Sequence, residues 1–181
     1  YHFHPSNFNG DTGTNEYMLN AIKEGVKYQQ KQGFQDIIIP NYYENENIDE
    51  LIGLVKNVNK WLGKNKKSGH RYFMSIPFTN HTIIDATKVE NILYTLTDKN
   101  IVFDGYYIVC ESKPESKQKV STDVKYLKNL SRVFSVLKKQ SFITFYAYAN
   151  WDSLVFLSLA DIDYITIASY ENMRNFNIKS F

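Results

Sequence analysis

One unit, used again and again, constrains this chain more than any other feature: a short apolar, β-rich run that ends in polar residues or Pro, followed by a helix-patterned stretch. The runs are QDIIIPNYYE, RYFMSIPFTN, DGYYIVCES, FITFYAYANW and DYITIAS, beginning near Gln35, Arg71, Asp104, Phe142 and Asp163. Strands that alternate with helical patterns in this way are joined by crossovers and lie parallel, so the chain reads as α/β.

The helical stretches carry their own signals. Thr14 or Asn15 is placed to cap a first helix with Met18, Ile22 and Val26 on one stripe, and Gly33 ends it. A second helix starts near Asp49, buries Leu51, Leu54, Val55, Val58 and Leu62, and stops in a stretch holding Lys64, Lys66 and Lys67, charges that suit a helix C-terminus. A third carries Val89, Ile92, Leu93 and Leu96, and a fourth Val124, Leu127, Leu130, Phe134 and Leu137. A short fifth helix is capped by Asn150 or Asp152. Between them the spacing predicts strands at Ile37 to Ile39, Tyr72 to Ile76, Tyr106 to Cys110, Phe142 to Tyr148 and Tyr164 to Ala168, with the opening YHFH as a sixth. Pro40 and Pro77 are expected to close two of these ladders, because Pro donates no backbone hydrogen bond.

Two architectures fit the alternation. One is a (β/α) barrel of TIM-barrel type, incomplete in this stretch; the other is a doubly wound open parallel sheet. A complete barrel runs to about 250 residues, against 181 here. The even strand spacing and the lack of a G-x-G-x-x-G phosphate turn favour the barrel. Residues 1–181 form one expected α/β domain, with a fragment of a longer chain as an open alternative.

Composition narrows function mostly by exclusion. With 43% hydrophobic residues the chain can bury a core, and a net charge of +2 permits nucleic acid without implying it. The single Cys110 excludes an internal disulfide framework and suits a reduced compartment. No apolar run approaches the roughly 20 residues a membrane helix needs, so the expected location is cytoplasmic. Cofactors and oligomeric state are not legible.

Both architectures bind ligands at the carboxyl ends of their strands, where variable loops and helix N-termini converge. That rule selects Asn41 and Tyr43 after the second predicted strand, Asn80 after the third, Asn150 after the fifth, and Tyr170 and Arg174 after the last. Glu111, a carboxylate directly after the buried run YYIVC, is the candidate catalytic acid or base. Arg174 offers a planar fork of donors for an anion. This amide- and aromatic-rich rim suits a small polar, partly planar ligand such as a nucleobase or sugar. The basic group Lys60, Lys64, Lys66, Lys67, His70 and Arg71 falls on the opposite face, where helix-end solvation accounts for it.

His2-x-His4 with Pro5-Ser6 resembles the first-strand H-x-H of the PHP and amidohydrolase metal-dependent hydrolases, in which alternate histidines on one strand bind a divalent metal. The resemblance continues through Asp11 and the helix after it, and implies a metal-dependent hydrolase with His2 and His4 as ligands. Where the PHP pattern places a His after the second strand this chain has Ile39-Pro40-Asn41, and no late D-x-H occurs. Catalytic metals need about three protein ligands, so the leading expectation assigns no metal. A non-catalytic protein-binding module is the other alternative.

Overall fold

The structure, a computed structural model, describes residues 15–41, 47–111, 123–149 and 151–166. In chain order its elements are α1 (Asn15–Lys31), β1 (Asp36–Ile39), α2 (Ile48–Asn65), β2 (Arg71–Phe78), α3 (Asn80–Ile83), α4 (Ala86–Leu96), β3 (Gly105–Cys110), α5 (Val124–Lys139), β4 (Ile143–Ala147), α6 (Ser153–Ala160) and β5 (Tyr164–Ile165). The strands form one sheet in the order β1-β2-β3-β4-β5, and every neighbouring pair is parallel. The α/β class with parallel strands is therefore observed. A doubly wound sheet reverses its strand order at a switch point. Among the described strands no reversal occurs, so the doubly wound alternative does not describe this stretch. The predicted YHFH strand lies outside the described residues.

Local chemistry explains the helices. Asn47 caps α2 through its side-chain oxygen, which accepts the Asp49 N–H, and Asp49 and Glu50 place negative charge on the first turn. Leu51, Leu54, Val55, Val58 and Leu62 are buried, as their spacing predicts. Asp123 caps α5 by accepting the N–H groups of Lys125 and Tyr126. Val124, expected on the buried stripe of that helix, is exposed. Its position two residues before Tyr126 turns it about 200° away from the face that Tyr126, Leu130, Val133, Phe134 and Leu137 bury. Gly33 ends α1 in the left-handed conformation that glycine adopts without strain.

The sheet has two unlike faces. Side chains of one parity, Ile37 and Ile39, Tyr72 to Phe78 at alternate positions, then Tyr106, Ile108, Cys110 and Tyr146, join the helices in a single core. Tyr146 meets Phe134 of α5 and Phe156 of α6 edge to face, and the Tyr106 hydroxyl donates to the Leu96 carbonyl of α4. Crossovers between adjacent parallel strands are right-handed almost without exception, which lays successive helices on one face. The other parity, Phe73, Tyr107, Phe145 and Tyr164, meets only itself among these aromatic contacts: Phe73 packs edge to face on Phe145 at 4.9 Å, and Tyr164 stacks on Phe145 at 4.6 Å.

Three expectations are corrected. Pro77 does not close its strand but pairs with Val109 inside β2. Arg71 N–H donates toward β1, so alternate residues of β2, Pro77 among them, turn their amide positions to that side. Because β1 stops at Ile39, opposite Met74, the donor missing from Pro77 falls beyond its end. Residues 80–83, where no helix is predicted, form α3, a single turn capped by the Thr79 hydroxyl, too short for a periodic signal. Asp152 stands at the N-cap of α6 without capping it; its carboxylate accepts from the Tyr146 hydroxyl instead.

Candidate functional site

At the carboxyl ends of the strands the structure brings together residues from three consecutive units. Glu111 follows β3, whose ladder its own N–H extends by donating to the Phe78 carbonyl at 2.8 Å. Its side chain crosses to the end of β2, where Oε2 accepts the Asn80 N–H at 3.1 Å. Among the described residues the other oxygen, Oε1, has no hydrogen-bond partner. Asn41, two residues past β1, donates from Nδ2 to the Ser75 carbonyl of β2 at 3.0 Å, carrying the β1–β2 ladder one step toward the rim.

Asn80 is buried, and its part in this arrangement is its backbone N–H. The turn it opens is held firmly. Thr79 Oγ1 accepts the Thr82 N–H at 2.9 Å, and buried Asn129 of α5 donates from Nδ2 to the Ile83 carbonyl at 2.8 Å. The Glu111 carboxylate is thus fixed on one side by a turn that is itself pinned to a neighbouring helix. Tyr43, Asn150, Tyr170 and Arg174 lie outside the described residues, as do His2 and His4. Among the described residues no cluster of His, Cys, Asp and Glu has the composition of a metal site.

Behind this rim, on the helix side of the sheet, lies a buried polar chain that the spacing did not disclose. The hydroxyls of Tyr126 and Tyr146 meet at 3.1 Å, and Tyr146 donates to Asp152 Oδ2 at 3.3 Å. Burial pushes the phenol pKa values of both tyrosines well up, so they stay neutral and serve as hydrogen-bonding groups. Cys110 beside them is buried and its thiol is likewise pushed up by burial, so it is not a thiolate nucleophile at neutral pH. Asp152, following β4, is itself almost wholly buried and draws the chain back beneath the rim.

The opposite, N-terminal face is occupied by structural ion pairs. Arg71 forks onto Asp36 with bonds of 2.6 and 2.7 Å, and these bonds outweigh the opposing effect of burial and hold its pKa above the ordinary value, with smaller contributions from the Asp36 charge and the Tyr164 hydroxyl. Lys66 reaches the Asp104 carboxylate at 3.0 Å and the Val102 carbonyl at 2.8 Å. Two of the basic residues grouped there are therefore committed to the fold.

Sequence reasoning also missed the aromatic row on the face that carries none of the described helices. Phe73, Tyr107, Phe145 and Tyr164 come from four successive strands, and the Arg71 guanidinium lies 5.7 Å over the Phe73 ring. Their shared parity is the signal that could have found them. It is hidden because β2 and β3 are buried on both faces and read as continuous apolar runs. Comparison with protein-family models, curated proteins and solved structures finds no match to this chain.

Proposed function

We propose that this is a barrel-like (β/α) domain that binds a small polar, partly planar ligand, nucleobase- or sugar-like, at the carboxyl-end rim, with Glu111 as the acid or base if the bound molecule is turned over. The observation that supports this most directly is the Glu111 carboxylate, fixed through Oε2 on the Asn80 N–H at a rim shared by consecutive parallel strands. Sequential strand order with helices on one face favours a curled sheet. In that geometry the aromatic row opposite the described helices becomes an inner layer, as side-chain layers fill the interior of a barrel. Asn41 supplies an amide on the adjacent strand end, and Tyr43, Asn150, Tyr170 and Arg174 complete the proposed set.

The test is a thermal-shift screen of wild type and Glu111→Gln against separate panels of nucleobases, nucleosides and monosaccharides. A saturable rise in Tm with one panel, reduced at least about tenfold in apparent affinity by the substitution, is expected, because a carboxylate hydrogen bond contributes about 1.5–3 kcal/mol. No shift from any member, or an equal shift in both proteins, removes Glu111 from the site.

A further inference from the structure

At the end of the sheet opposite the rim, α2 closes in a run of lysines that the fold only partly uses. Lys66 pairs with Asp104 and Arg71 with Asp36, and Asp163, just before β5, pairs with Lys138. Among the described residues Lys31, Lys56, Lys60, Lys64 and Lys67 enter no ion pair, and all five are exposed. The helix macrodipole favours a cation only within the last turn, which accounts for Lys64 and leaves Lys56 and Lys60. These three stand four residues apart on one ridge, about 6 Å from one to the next along the axis. That is inside the screening length of about 8 Å at physiological salt, so their charges act as one field. Lys60 is turned about 200° from buried Val58, and the ridge faces solvent. Like charges at this spacing repel, and after Asp49 and Glu50 the helix carries no acid to offset them.

An aromatic ring stands beside the chain that follows this helix. Phe34, in the turn between α1 and β1, is 54% exposed although its backbone is held on both sides. Its N–H donates to the Gln29 carbonyl at 3.3 Å, and its carbonyl accepts from His70 Nδ1 at 2.8 Å. The ends of α1 and α2 are joined again at the Tyr72 hydroxyl, which accepts from Gln30 Nε2 at 2.9 Å and from the Lys67 N–H at 3.1 Å. Lys31 and Lys67 thus flank the turn that presents the ring. We propose that this surface binds single-stranded nucleic acid, with the lysine ridge along the phosphates and an unpaired base stacked on Phe34. Lysines displace the counterions that a chain of phosphates condenses, and an aromatic ring accepts a base of any sequence. A duplex would keep its base faces from the ring. An anionic membrane is a poorer fit, because the exposed neighbours Gln32, Gln35, Asn57, Asn65 and Ser68 are polar and offer no apolar face to insert. The surface lies away from Glu111, and the proposal stands without the ligand reading.

Fluorescence anisotropy with labelled oligo(dT) and oligo(rU) tests this, in separate arms because DNA and RNA share the phosphate and the base face. Binding in either arm is expected, and its affinity should fall steeply between about 50 and about 200 mM NaCl. Each phosphate contact to a single strand contributes about 0.7 to the log–log salt slope, so Lys56→Gln/Lys60→Gln should lower that slope by about 1.4. Phe34→Ala should weaken binding at least about fivefold and leave the slope unchanged, as loss of a stacked base does. All three side chains are exposed, so both variants should fold and keep the wild-type Tm. The duplex of oligo(dT) with oligo(dA) should bind at least about fivefold more weakly than the single strand. No binding of either strand at about 50 mM NaCl, variants that bind as wild type does, a duplex held as tightly as the single strand, or binding to phosphatidylserine vesicles but to neither strand would each overturn the proposal.

Discussion

Single residues fix where the strands can approach one another. Gly105 opens β3 opposite Ile143, and a methyl group on it would sit well inside contact distance of the Ile143 carbonyl oxygen, a backbone atom that cannot move aside without breaking the ladder. Gly105→Ala is therefore expected to cost about 3 kcal/mol, read as a fall in the urea midpoint with little change in slope. Asp163 does comparable work at the start of β5. Its Oδ2 accepts both the N–H and the hydroxyl of Thr144, at 2.8 and 3.0 Å, while Oδ1 pairs with Lys138 at 2.5 Å. Burial pushes this carboxyl pKa up, but the bonds from Lys138 and Thr144 outweigh it, and the net shift is downward. A carboxyl depressed in the folded state contributes stability that is complete above its unfolded pKa, near 3.9, and disappears as pH falls through the lower folded value. Wild type should thus exceed Asp163→Asn by about 1 kcal/mol at pH 7, and urea titrations should show the gap closing below about pH 4. Neither role was legible from residue type: a glycine or aspartate at a strand start reads as turn chemistry until register shows what lies opposite.

At the scale of elements, edges and ends needed most from tertiary contacts. The strand–helix alternation disclosed β1 to β5 and the long helices because each is an apolar run or stripe several residues long. It failed at α3 and at Pro77, where the outcome depends on the neighbouring strand and on one Thr hydroxyl. At the rim it placed Glu111, Asn41 and Asn80 at strand ends but not the bonds they make, since the Asn80 N–H and the Ser75 carbonyl belong to backbone that only the parallel register brings near. The β1 edge shows a further case. Gln29 of α1 reaches over and bonds both backbone groups of Ile38, replacing one ladder step with a side-chain amide. Gln29→Ala removes this cover, and faster hydrogen exchange at Ile38 with a loss of about 1–2 kcal/mol is expected. Gln29→Glu should restore the bond to the Ile38 N–H but not the one from Nε2 to its carbonyl, giving an intermediate result.

Across the whole molecule, the two faces of the sheet differ in how they hold it together. On the helix side cohesion is spread over many aliphatic contacts and the buried Tyr126–Tyr146–Asp152 chain, so the loss of one group is shared. On the side without described helices it converges on Phe145, whose ring touches those of Phe73, Tyr107 and Tyr164 and so ties β2, β3 and β5 to β4. Arg71 extends this layer: it stacks on Phe73, forks onto Asp36 at β1, and lies within electrostatic reach of the Tyr164 phenol on β5. Strands about 4.8 Å apart would put β2 and β4 roughly 10 Å from each other in a flat sheet, so the Phe73 and Phe145 rings, with centroids 4.9 Å apart, favour a sheet curled toward the side that carries none of the described helices. If curvature depends on this layer, Phe145→Ala should cost more than its half-buried position alone suggests, about 3 kcal/mol. The loss should also be cooperative with Arg71→Met. Urea unfolding of the two single variants and the double provides the test, with a coupling energy above about 0.5 kcal/mol expected because the residues share Phe73 and Tyr164 as neighbours. Strict additivity would instead mean that the helices set the curvature and that the aromatic layer merely lines it.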